Sequence, residues 1–127
     1  MSAGVLLAVA LAGGAGAATR FVVDGLVRAR WAGVFPLATV VVNVTGSLLI
    51  GLLAGAALFG GLGPTWLAVA ATGFCGGYTT FSTAMVETVR LVQADEVRWA
   101  VLNAAGTLVT CVAAASAGVG LAWLVAG

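Results

Sequence analysis

Gly73-Phe74-Cys75-Gly76-Gly77-Tyr78-Thr79-Thr80-Phe81-Ser82-Thr83 lies in the middle of an apolar stretch covering about residues 66–92. A stretch that long can span a membrane, which takes ~20 mainly apolar residues. Its centre, however, is poor helix. Gly76-Gly77 carries the backbone-entropy cost of glycine, and the β-branched pair Thr79-Thr80 loses side-chain freedom in a helical turn. A break near Gly76–Thr79 frees backbone carbonyls that lipid cannot satisfy. Such breaks persist at membrane depth where the freed groups are buried or bind an ion. Freed carbonyls present negative dipole ends and suit a cation such as Na⁺. A packing kink accounts for the same residues, and the run alone leaves both readings open.

Outward from this run, three more apolar stretches qualify as spans, at about residues 3–23, 35–59 and 99–126. The connections fit. Residues 24–34 hold Asp24, Arg28, Arg30 and Trp31 ahead of Pro36, a residue suited to a helix's first turn. Residues 60–64 read Gly-Gly-Leu-Gly-Pro, a tight turn, and residues 93–98 form the most polar run of the chain. Trp31, Trp66, Trp99 and Trp123 fall near helix ends, where an amphipathic ring sits at headgroup level. The expected fold is an all-α membrane protein: one domain over residues 1–127, with four transmembrane helices and the third broken near Gly76–Thr79.

Composition demands the same solvent. With 62% hydrophobic and 7% charged residues, the chain lacks the polar surface a soluble domain requires. A net charge of +1 gives no reason to expect a nucleic-acid partner. Histidine is absent, and Cys75 and Cys111 sit in apolar stretches as small hydrophobes, so zinc sets and His-based catalysis find no residues. No enzyme is expected. The first stretch offers Ala10-Leu11-Ala12 to a signal peptidase, but Met1 to Val5 holds no Arg or Lys, so it reads as a helix.

Arg20, Arg28, Arg30, Arg90 and Arg98 lie on or near the side that joins helix 1 to 2 and helix 3 to 4. The other side has neither Arg nor Lys. The positive-inside rule then places both chain ends outside the cytoplasm. Gly51/Gly55 and Gly73/Gly77 have the small-xxx-small spacing of closely packed helices, either between subunits or within one.

Polar residues inside a membrane are costly and point to function. Thr39, Asn43 and Ser47 share one face of helix 2, and Asn103, Thr107 and Thr110 share one face of helix 4. Helix 3 adds Thr72, Thr79, Thr80, Ser82 and Thr83. Each alone is explained by interhelical hydrogen bonding. Three stripes converging in one small bundle point to a hydrophilic pathway.

Three motifs in order, Gly13-Gly14-Ala15-Gly16-Ala17-Ala18-Thr19-Arg20, then Pro36-Leu37-Ala38-Thr39 through Asn43-Val44-Thr45-Gly46-Ser47, then the 73–83 run, resemble the CrcB/Fluc family of fluoride channels. The match covers helices 1 to 3; helix 4 matches loosely. The resemblance implies a cell-membrane protein that exports fluoride as an antiparallel dimer, homomeric or paired with a homologous subunit. It implies a central structural Na⁺ held by the backbone carbonyls of Gly76 and Thr79 from both subunits. By position, Asn43 donates to fluoride, Phe81 turns its ring edge toward the ion, and Arg20 sits in the aqueous vestibule. Thr39, Ser82, Thr83 and Thr107 line a polar track. Neutral donors suit the task, because fluoride must exchange its water for N–H, O–H and ring-edge contacts without binding too tightly to leave.

Two features depart from that pattern. Ala84 stands where the family has a second phenylalanine, with Tyr78 and Met85 nearby as substitutes. The arginine bias also ill fits a homodimer whose chains insert both ways. Both departures fit a heterodimer with a homologue of opposite orientation that keeps the missing phenylalanine. A small proton-coupled multidrug exporter would need a membrane-buried acid, but the first helix has none and Glu87 lies toward a loop. A membrane scaffold would not need the polar stripes.

Overall fold

The computed structural model describes residues 1–127, and every regular element in it is helical. Helix α1 covers Ala3–Arg30 and is capped by Ser2, whose Oγ accepts the Val5 N–H at 3.2 Å. It runs seven residues past the expected end at residue 23. Asp24 and Arg28 pair at i,i+4 with Nε to Oδ2 at 2.7 Å, and Arg28 and Arg30 oppose the negative end of the helix dipole. The polar run read as a loop is thus mostly the last turns of α1, and the connection shrinks to residues 31–36.

Helix α2 covers Leu37–Phe59 and follows Pro36. It stops at Gly60-Gly61, where Gly61 takes φ +77, the left-handed conformation that glycine adopts without strain. Helix α3 covers residues 64–78 in three parts: an α-helical turn at Pro64–Leu67, a π-helical stretch at Ala68–Cys75, and a final turn at Gly76–Tyr78. Helix α4 covers Phe81–Gln93, and α5 covers Val97–Ala126.

The break therefore falls at Thr79–Thr80, not at the glycines. Thr79 (φ −81, ψ 160) and Thr80 (φ −146, ψ 119) are extended, while Gly76 keeps helical angles (φ −61, ψ −37). The physical reason is contact with α1. A Cβ at Gly77 would overlap the Gly13 carbonyl, and one at Gly16 would overlap that of Phe74. These glycines let two backbones touch, and the contact holds the turn helical.

Three helices (α1, α2 and α5) are long and apolar enough to cross a membrane. The broken pair α3–α4 returns from the 60–63 turn to the arginine-bearing end, where Arg28 of α1 meets Glu87 of α4 at 3.4 Å. Phe35 and Trp99 pack there with ring centroids 5.8 Å apart. The 31–36 and 94–96 connections thus share one end, as the charge pattern requires. Arg20 is the exception, lying within α1 well short of that end.

Only 16 of 127 residues are buried, and most buried side chains are small, so the large apolar side chains face outward. Leu7, Leu11, Phe21, Leu108, Val109 and Leu124 are all exposed. A surface of this kind is stable against lipid, where helices associate through close packing of small residues rather than by excluding water. Gly51 faces Ala115 and Gly118 faces Leu48, joining α2 to α5, while Gly73 and Gly77 face Val9 and Gly13 of α1. Both small-xxx-small pairs pack within the chain.

Candidate functional site

The polar residues gather around the two extended residues of the break. Thr80 starts α4 as its N-cap: its Oγ1 accepts the Thr83 N–H at 3.2 Å and donates to Thr83 Oγ1 at 3.0 Å. Helical bonding is lost here, so the Thr80 backbone needs other partners, and Asn43 of α2 supplies both. Asn43 Oδ1 accepts the Thr80 N–H at 2.9 Å, and Asn43 Nδ2 donates to the Thr80 carbonyl at 2.9 Å. The carboxamide thus pairs with one peptide residue as a neighbouring strand would. A primary amide carries two N–H donors, so one remains after this pairing.

The Thr79 carbonyl is satisfied from α1, accepting Arg20 Nη1 at 3.1 Å. Thr79 itself folds back, with backbone N–H and Oγ1 both donating to the Cys75 carbonyl at 2.9 Å. One residue from α1 and one from α2 therefore satisfy a break in mid-bundle that lipid could not.

Two grooves flank the break, and Thr80 lines both. The first, about 290 Å³, is lined by Arg20, Asp24, Arg28, Thr39, Thr80 and Thr83 among others. In its wall Thr39 is only 2% exposed, and its Oγ1 has no hydrogen-bond partner. An orphaned buried hydroxyl is costly and finds its compensation in a ligand or water. The second groove, about 320 Å³, is lined by Asn43, Ser47, Thr79, Phe81, Asn103 and Thr107 among others. Asn103 is held by bonds to Thr88 Oγ1 (2.8 Å) and the Ala84 carbonyl (3.4 Å), and Thr107 donates to Asn103 Oδ1 at 3.5 Å. Phe81 is 77% exposed at the edge of this groove.

The expected site residues are thus partly brought together. Arg20, Thr39 and Thr83 share the first groove, and Asn43, Thr79, Phe81 and Thr107 share the second. Gly76 and Ser82 are exposed and line neither. Thr110 bonds the Gly106 carbonyl of its own helix at 2.6 Å and leaves the stripe. Thr80 was legible only as one hydroxyl in a cluster. Its place between Asn43 and both grooves depends on a contact 37 residues apart, which no local spacing encodes.

Ala84 is buried beneath the second groove, where Met85 also lies. Tyr78 is committed elsewhere: it stacks on Phe74 with centroids 6.0 Å apart and hydrogen-bonds Thr45 Oγ1 at 2.9 Å. Of the two neighbours that could stand in for a ring at position 84, only Met85 reaches the groove.

Known proteins share this chain along nearly its whole length. A family model described as CrcB-like protein, Camphor Resistance (CrcB), matches residues 7–119. A fluoride-specific ion channel FluC 1 of Leifsonia xyli subsp. xyli is 50% identical over 120 residues, covering 94% of this chain and 88% of the relative. A fluoride-specific ion channel FluC 2 of Mycolicibacterium paratuberculosis is 46% identical over 121 residues, covering 95% and 96%. Another FluC 2, from Cutibacterium acnes, is 44% identical over 117 residues, covering 91% and 95%. With the model spanning both grooves and the break, and identity this high end to end, the chain belongs to the CrcB/FluC family of multi-pass membrane proteins.

Proposed function

We propose that this chain conducts fluoride passively across the cell membrane, exporting it and so relieving its toxicity. The observation that carries the reading is the end-to-end similarity to relatives named as fluoride-specific ion channels, at 50% identity in the first case. The site chemistry supports it. Asn43 keeps a free N–H, Thr39 a free hydroxyl and Phe81 an exposed ring, all neutral groups able to replace water around a small anion. Arg20, the cation bonded to the break itself, is engaged with Thr79, so it adds positive potential without gripping the ion. Asn43, Phe81, Thr39, Thr83 and Thr107 are the proposed pathway, with Ser82 joining only through a partner's surface.

The working unit is proposed to be an antiparallel dimer, since both grooves and Phe81 stand open on a single chain. A paired heterodimer is favoured by the one-ended arginines and by Ala84. Structural sodium fits the donor chemistry here in part. Gly76 and Thr79 offer neutral backbone oxygens where α3 ends, and one lone pair of the Thr79 carbonyl stays open beside Arg20. Two carbonyls from one chain leave such an ion short of ligands, so a partner subunit would supply the rest, and the ion would tie the two chains together.

Growth in fluoride tests export. A bacterial host lacking its own fluoride exporter should regain growth when it expresses this chain, alone or with a homologous partner. Failure in both cases, with the protein present in the membrane, would refute the proposal.

A further inference from the structure

A third cavity, of about 250 Å³, opens at the arginine-bearing end between the last turns of α1 and α4 and the 31–36 connection. Arg28, Trp31, Phe35, Glu87 and Arg90 are among its lining residues. Its charges are unevenly used. Arg28 takes both ion pairs of the molecule, to Asp24 at 2.7 Å and to Glu87 Oε2 at 3.4 Å, which leaves Arg90 without a carboxylate. Glu87 Oε1 is buried with no hydrogen-bond partner. The cavity is therefore lined by a free cation and, separately, by the Glu87 carboxylate, whose inner oxygen Oε1 lacks a donor.

Arg28 is neutralised by Asp24 from outside the cavity, and Glu87 offsets Arg90 within it, so a simple anion gains little here. A molecule bearing both signs answers both unused groups. The level is also informative: Arg30, Arg98 and Trp99 lie at the same end, where helix termini meet lipid headgroups. Trp31 forms one wall, its Nε1 donating to the Phe35 carbonyl at 2.9 Å. Val34 and Val86 are exposed on the adjoining loop and helix, an apolar surface for acyl chains.

We propose that this cavity holds the headgroup of a zwitterionic phospholipid of the phosphatidylethanolamine class, with its phosphate on Arg90 and its ammonium toward the Glu87 carboxylate. The lipid then bridges α1 and α4 beside the Arg28 link and steadies the second half of the broken helix.

Native mass spectrometry of the delipidated full-length protein, titrated with phosphatidylethanolamine or phosphatidylglycerol, tests this. The wild type should carry about tenfold more phosphatidylethanolamine adduct at equal concentration, a ratio set by ~1.4 kcal/mol. Glu87→Gln should erase that preference, and Arg90→Gln should lower adducts of both lipids. Arg98→Gln, outside the cavity, should change neither. Arg90 is exposed, so its variant keeps the test open if Glu87→Gln fails to fold. Equal binding of the two lipids by the wild type would overturn the proposal. An equal loss in Arg90→Gln and Arg98→Gln would also overturn it, by showing diffuse surface charge at work.

Discussion

The two halves of α2 meet their neighbours in opposite ways. From Gly51 to Gly55 the helix closes on α5, and a Cβ at Gly118 would lie 2.5 Å from the Leu48 carbonyl oxygen. From Thr39 to Ser47 it faces the break, where Asn43 reaches the Thr80 backbone and Thr39 leaves a hydroxyl unused. At these contacts both halves use small or short polar residues. Glycine removes the side chain so that backbones touch and no space remains. Threonine and asparagine hold the backbones apart and put donors into the gap. One helix thus serves as a closed seam at one end and a groove wall at the other.

Substitutions that fill the seam should have the largest effect. Gly118→Leu forces a side chain into the α2 backbone. Overpacking of this kind costs about 3 kcal/mol or more, and the protein should lose its single sharp peak on size exclusion in detergent. An intact, well-behaved Gly118→Leu protein would mean that the α2–α5 seam is not tight.

Next comes Asn43→Asp, which acts on the groove. It sets a carboxylate oxygen against the Thr80 carbonyl in place of the 2.9 Å N–H bond and puts negative charge in the proposed anion path. Leaving such a group unpaired costs about 1–3 kcal/mol, so fluoride efflux from liposomes should fall by roughly 10- to 100-fold. Normal efflux would remove Asn43 from the pathway.

Arg20→Gln keeps a donor for the Thr79 carbonyl but removes the charge. Efflux should drop several-fold at low ionic strength and much less at high salt, because screening weakens what the guanidinium contributes. A loss independent of salt would assign Arg20 to holding the break rather than attracting the ion.

The smallest effect sharpens the contrast most. Thr39→Val deletes a hydroxyl that bonds nothing in the protein, so thermal stability should hold or rise. Efflux should nonetheless fall, by no more than about tenfold, the worth of one hydrogen bond near 1 kcal/mol. A fall in stability with unchanged efflux would make Thr39 structural instead.

This contrast also explains what was legible in the sequence. Four apolar stretches, the shared arginine end and the stripe Thr39-Asn43-Ser47 follow from periodicity and composition, which a membrane enforces strictly. The break was legible as an event near Gly76–Thr79, and Thr79 is one of its two extended residues, but which residues open was not. Gly76-Gly77 reads as weak helix until Gly13 is known to press on Gly77, and the extended residues prove to be the threonines. The π-helical turns of Ala68–Cys75 left no local signal, since they accommodate the packing of α3 on its neighbours. The reach of Arg20 to Thr79 spans 59 residues, and no pattern in either segment announces it. Charged residues near a span's end resemble a loop, which hides the last turns of α1, although Asp24 and Arg28 have the i,i+4 spacing of a helical ion pair.

Fluoride efflux from liposomes holding the purified chain, followed with a fluoride electrode against a chloride control, tests the central claim most directly. The account predicts fast efflux of fluoride and none of chloride, from the chain alone or, if the working unit is a pair, once a homologous partner is co-expressed. Silence in both preparations with protein confirmed in the bilayer, or equal passage of chloride, would contradict it.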